Sequence, residues 1–161
     1  MAGPVHPFVV PPGAGETMRG PAGGPATFTA RAETTNGTFT ALENVIAPGQ
    51  GPAMHVHVRE DEMYYVLDGV VRFSADGELF DAPRGAFMFI PRGTPHCFQN
   101  TADVPALLLV MFTPAGMERF FEGVAALPPG PIDPDTMRGL GHSAWMKVVG
   151  PPMGKGLDSR D

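Results

Sequence analysis

The sequence predicts an all-β domain, a sandwich or barrel of short antiparallel strands. Two observations carry this. Runs rich in β-branched and aromatic residues recur along the chain, and turn dipeptides such as Asn36-Gly37, Asp68-Gly69 and Asp76-Gly77 separate them. The 21 glycines and 19 prolines are scattered through the chain rather than gathered in one block, so they read as punctuation between strands.

In order, residues 1–26 form a Pro/Gly-rich arm, in which Pro7-Phe8-Val9-Val10 reads as a short edge strand and Gly13 to Pro25 as a loop. Thr27 to Glu33 is a strand, Asn36-Gly37 a hairpin turn, and Thr38 to Ala47 the returning strand. Pro48 to Pro52 leads into a strand carrying His55 and His57. Glu62 to Leu67, Val70 to Ser74 and Glu78 to Ala82 follow as strands. Ala86 to Ile90 is apolar enough to be buried on both faces. His96 to Asn100 is presented by the rigid turn Pro91 to Pro95, and Ala106 to Phe112 (ALLLVMF) is a continuous apolar strand. The strand region thus spans 27–113.

The pattern then changes. Thr113-Pro114 reads as an N-cap with Pro at the first helical position. Met117, Phe120, Phe121 and Val124 recur at helical spacing, a stripe expected to pack rather than to hold a cofactor. A second short helix is expected over Pro134 to Leu140. Residues 114–153 are therefore read as a helical extension against the strands, and 154–161 as a frayed tail. His6 and His142 have no motif around them and are expected in solvent.

A chain of 161 residues makes one ordinary domain. Its formal net charge of -6 and its lack of a basic patch argue against a nucleic-acid partner. No apolar run is long enough for a membrane-spanning helix. The N-terminus lacks the features of a signal peptide. A single cysteine, Cys97, leaves no internal disulfide and suits a reducing, cytoplasmic setting.

Chemistry concentrates between Gly49 and Asn100. Strand side chains alternate faces, so His55 and His57 leave one face of one strand. Met54, Val56 and Val58 leave the other face and are expected to pack into the protein. Glu62 lies past the polar Arg59-Glu60-Asp61 corner and can swing back on the next strand. With His96 from a third segment, three imidazoles and one carboxylate make a donor set suited to a first-row divalent metal. Tyr65, Phe73, Met88, Phe98, Met111 and Phe112 are candidates for an apolar pocket wall, which would suit a flat aromatic substrate.

The spacing Gly-x5-His-x-His-x4-Glu-x6-Gly falls on Gly49, His55, His57, Glu62 and Gly69. After a fifteen-residue spacer, Gly-x5-Pro-x-Gly-x2-His-x3-Asn falls on Gly85, Pro91, Gly93, His96 and Asn100. These match the two signature motifs of the cupin superfamily, which the chain resembles closely. The resemblance implies a jelly-roll barrel of two antiparallel sheets, with one or two short C-terminal helices. It also implies one divalent ion, nickel, cobalt, manganese, iron or zinc, on His55, His57, Glu62 and His96.

The runs His57 to Gly69, Pro91 to His96, Pro114 to Phe121 and Val148 to Pro152 further resemble small bacterial single-domain cupins grouped with quercetin dioxygenase. That likeness implies ring-opening of a flavonol or similar enolised aromatic by O2. Glu62 would serve both as ligand and as catalytic base, and the protein would be a homodimer. Two alternatives share the same ligands. One is a redox-neutral metal cupin, such as a polyketide cyclase or isomerase, and the other is a non-catalytic small-molecule-binding cupin.

Overall fold

A computed structural model describes residues 5–154. Eleven strands form two antiparallel sheets that face each other as a jelly-roll barrel. One sheet has six strands in the order β1 (Glu16–Arg19), β2 (Pro25–Ala30), β3 (Thr40–Ile46), β10 (Ala106–Thr113), β5 (Asp61–Asp68), β8 (Phe87–Ile90). The other has five, in the order β11 (Met146–Pro152), β4 (Ala53–His57), β9 (His96–Asn100), β6 (Val70–Ala75), β7 (Glu78–Pro83). Three short helices complete the described residues: α1 (Ala32–Thr35), α2 (Glu118–Ala125) and α3 (Pro134–Ser143).

The core lies between the sheets, because alternate residues of each strand turn inward. Strand β10 shows this plainly: Ala106, Leu108, Val110 and Phe112 are buried, while the residues between them are less so. Tyr64 from the six-stranded sheet meets Phe73 and Phe98 from the five-stranded one, with ring centroids 4.9 and 5.5 Å away. Such tilted and edge-on pairs favour contact between ring edge and ring face. Helix α2 closes the barrel flank with Phe120, Phe121 and Val124, and Phe121 meets Phe28 edge-on at 5.4 Å. The β6–β7 hairpin turns through Asp76 and Gly77, both at positive φ. Two consecutive left-handed residues match the right-handed twist of the flanking strands.

Several expectations need correction. The N-terminal edge strand is Glu16–Arg19, not Pro7 to Val10; Phe8 and Val9 are exposed, and only the later segment pairs with β2. Asn36 and Gly37 do not form a two-residue hairpin. Asn36 is the left-handed cap that ends the single turn α1, which separates β2 from β3. Strand β8 is the outer edge of its sheet, so Phe87 and Phe89 are 59% and 51% exposed rather than buried on both faces. An apolar run cannot by itself tell a central strand from an edge strand. Thr113 does not cap a helix. The Thr113–Pro114 peptide is cis, Gly116 takes φ 140°, and α2 starts at Glu118. Residues 146–152 form a full strand, β11, on the far side of β4. Most of the expected frayed tail lies outside the described residues.

Candidate metal centre

The barrel gathers the candidate ligands from both sheets. His55 and His57 project from β4, and His96 from β9, where it sits directly across from His55. Glu62 projects from β5 in the opposite sheet. All four side chains are buried, and one ligand atom from each lies within 4.8 Å of the others. The alternation that places both histidines inward sends Met54, Val56 and Val58 outward. Val58 is 48% exposed, contrary to the expectation that this face packs into the protein. The imidazole face is the interior one because β4 lines the barrel.

Hydrogen bonds orient the rings. His55 Nδ1 is 2.7 Å from the Ala53 carbonyl, and His96 Nδ1 is 2.9 Å from the Thr94 carbonyl. A carbonyl only accepts, so in both rings Nδ1 carries a proton and Nε2 faces the centre, where the neutral ring offers it as the ligating nitrogen. Glu62 Oε2 is 2.8 Å from His96 Nε2 and 3.0 Å from His57 Nε2. One carboxylate oxygen shared between two imidazoles marks a common centre. Phe112, paired with Glu62 across the β10–β5 ladder, meets the His57 ring edge-on at 5.4 Å.

The electrostatics follow from burial and mutual proximity. Burial, reinforced by His96 and His57, pushes His55 down to about 3, so it stays neutral. Burial would raise Glu62, but the His57 and His96 imidazoles outweigh it and hold the carboxyl well below the usual glutamate range. Burial would lower His96, but the hydrogen bond and charge of Glu62 raise it. Burial, the Glu62 charge and a hydrogen bond with Glu62 push the Tyr64 hydroxyl well above its ordinary value. Neutral imidazole and ionised carboxylate are the ligating forms, and the buried His57 Nδ1 has no hydrogen-bond partner. The donor set therefore fits a divalent transition metal.

A cavity of about 860 Å³ opens from this group toward α2 and α3. Its floor includes His55, His57 and Glu62, and its wall includes Tyr64, Phe98, Phe112, Met117, Phe120 and Phe121. Of the candidate wall residues, Phe98 and Phe112 line it. Phe73 is fully buried in the core behind Tyr64 and Phe98. Met88 packs against that core, and Met111 lies on the outward-alternating side of β10. Tyr65 is 41% exposed on the outer face. Counting by two from Glu62 selects Tyr64 instead, so alternation alone could have found it. The α2 stripe both packs on the barrel and supplies cavity wall. Asn100, the last motif residue, binds no centre. Its side chain donates to the Ile46 and Val104 carbonyls and accepts from Ala102 N–H, fixing the end of β9. Glu60, expected at a polar corner, is instead buried, and His6 and His142 are exposed.

Two facing antiparallel sheets around an inward three-histidine, one-carboxylate group define a cupin barrel. Residues 43–112 match the family model described as a cupin domain, and over that stretch the chain is a cupin domain. The chain is 34% identical over 76 residues to quercetin 2,3-dioxygenase of Bacillus subtilis, covering 46% of this chain and 22% of that protein. It is 29% identical over 80 residues to the tetracenomycin polyketide synthase protein TcmJ of Streptomyces glaucescens, covering 50% and 52%. Both matches span less than two thirds of the relative's length. Among solved structures, KdgF from Halomonas sp. superposes with a TM-score of 0.60 at 18% identity, over 68% of this chain and 94% of that one. That likeness is one of fold. Among the described residues, no helix is long and apolar enough to cross a membrane.

Proposed function

We propose that this cupin is a metal-dependent dioxygenase that opens a ring of an enolised aromatic such as a flavonol, with O2 as co-substrate. The observation that carries the reading is the buried Glu62 carboxylate among three histidines, at the floor of a cavity with an aromatic wall. His55, His57, Glu62 and His96 would hold a divalent ion, which would supply redox or Lewis-acid chemistry at the cavity floor.

The remaining work falls to the chain. Tyr64, Phe98, Phe112, Phe120 and Phe121 offer flat apolar contact, which orients a planar ligand and excludes water. A cavity of this size matches those that take drug-sized molecules, on the order of 300–1,000 Å³. Glu62 Oε2 accepts the hydroxyl proton as the substrate's enol ionises to the enolate, and His57 and His96 keep the carboxylate ionised for that task. The rigid strands β4, β5 and β9 hold the donors before any ligand arrives.

The test is dioxygen uptake with quercetin by metal-free protein reloaded in turn with nickel, cobalt, manganese, iron and zinc. Uptake coupled to carbon monoxide release is expected with at least one metal. Glu62→Gln should lose turnover while keeping part of its metal. No uptake from protein holding one ion per chain would overturn the reading for flavonols. The match to TcmJ favours a second reading, a redox-neutral reaction on a polyketide-derived aromatic. Product formation that is equally fast without dioxygen would select it.

A further inference from the structure

The three site histidines are not held alike. His55 and His96 each give Nδ1–H to a backbone carbonyl two residues upstream, which turns Nε2 inward. His57 also points Nε2 at the centre, 3.0 Å from Glu62 Oε2, but its Nδ1 is buried and meets no hydrogen-bond partner. Three residues on, in the turn from β4 to β5, Glu60 is 1% exposed, and neither of its carboxylate oxygens has a hydrogen-bond partner. Arg59 Nε stands 3.2 Å from Glu60 Oε1 as an ion pair, and Glu60 lies within electrostatic reach of His57. Buried polar atoms left without partners are rare and costly. Here a ring nitrogen without a partner and a buried carboxylate held only by the Arg59 ion pair lie in one short segment. A carboxylate only accepts, and a ring nitrogen opposite an inward-facing Nε2 must donate, so the two are complementary.

We infer that Glu60 is the positioning residue for His57, its carboxylate accepting from one water molecule that in turn accepts the Nδ1 proton, and so holding Nε2 toward the metal. Such a partner fixes the tautomer and raises the basicity of the ligating nitrogen. It replaces the backbone carbonyl that serves His55 and His96. The inference rests on the metal-site reading but not on the dioxygenase reading.

The test is cobalt(II) binding to metal-free protein, measured by competition with a chelator, for the wild type, Glu60→Met and Glu60→Gln. Loss of a partner of this kind typically weakens metal binding by about 10–100-fold. Glu60→Met should fall in that range, and Glu60→Gln, which keeps one acceptor oxygen, should lose less. In zinc-loaded protein, the His57 Nδ1–H proton should resonate downfield and exchange slowly. Glu60→Met should abolish that signal while leaving those of His55 and His96 in place, a pattern that general loosening would not give. Cobalt affinity and a His57 signal unchanged in Glu60→Met would overturn the inference. Should that variant fail to fold, Glu60→Gln carries the test: an unmoved His57 Nδ1–H resonance overturns it. Absence of cobalt binding by the wild type would overturn the metal centre itself, whereas normal cobalt binding without dioxygen uptake would bear only on the proposed reaction.

Discussion

Glu118 is the charged group on which the helical flank of the barrel rests. It is 3% exposed, and its carboxylate accepts from Ala32 N–H at 2.9 Å, from Gly116 N–H at 3.0 Å and from the Thr40 hydroxyl. It thereby ties the start of α1, strand β3 and the first turn of α2 together. A hydrogen bond to a charged acceptor is worth about 1.5–3 kcal/mol net. In Glu118→Ala, Gly116 N–H keeps a second acceptor, Thr40 Oγ1 at 3.3 Å, so the loss amounts to two strong bonds rather than three. The expected destabilisation is about 3–5 kcal/mol. Glu118→Gln retains one oxygen and should lose about 1–3 kcal/mol.

Burial would raise the Glu118 carboxyl, but Thr40, Ala32 and Gly116 outweigh it and hold it below the ordinary value. A carboxyl depressed in the folded state adds stability that is complete above the unfolded value, about 4.3, and fades as pH falls through the lower folded value. Urea unfolding should therefore show the full gap between wild type and Glu118→Gln at neutral pH, narrowing below about pH 4. A Glu118→Ala loss under about 1 kcal/mol, or a Glu118→Gln gap that does not narrow in acid, would refute this reasoning.

Two further outcomes follow from packing. A Cβ on Gly51 would stand 1.8 Å from the Phe98 carbonyl oxygen, a backbone atom of the strand that carries His96. Gly51→Ala should cost about 3 kcal/mol by overpacking and weaken metal binding as β9 shifts; urea unfolding with a change within about 0.5 kcal/mol would contradict this. The homodimer that the sequence resemblance implies is proposed to form on the outer face near β8, where Tyr65, Phe87 and Phe89 are exposed side by side on an open sheet edge. Light scattering should find a wild-type dimer and a monomeric Phe87→Asp/Phe89→Asp double variant, whereas a monomeric wild type would remove the proposal.

The centre was legible in the sequence because its logic is local. His55 and His57 share a face by the two-residue period, and Glu62 and His96 stand at motif positions that the barrel brings to the same point. Which face of β4 turns inward was not legible, since Met54 and Val56 are as apolar as core residues and only the closure of the sheets decides. The same ambiguity hid the exposure of β8. Its Phe87 and Phe89 read as buried until the strand is seen to have a neighbour on one side only. Glu60 reads as part of a polar corner because its charge shows in the sequence, whereas its burial is a property of the fold. Asn36-Gly37 carries a hairpin signature, yet α1 claims Asn36 as its left-handed cap. The sequence offers Tyr65 as pocket wall where Tyr64 faces in, a shift of one residue that moves a strand side chain to the opposite face.

The central claim is that His55, His57, Glu62 and His96 form one metal-binding centre. The most direct measurement is the metal content of protein stripped with chelator, reloaded with nickel or cobalt, freed of excess ion and analysed by mass spectrometry. One ion per chain is expected for the wild type, with near-complete loss in His55→Ala/His96→Ala. A wild type that retains no ion, or a double variant that retains one as firmly as the wild type, would contradict it.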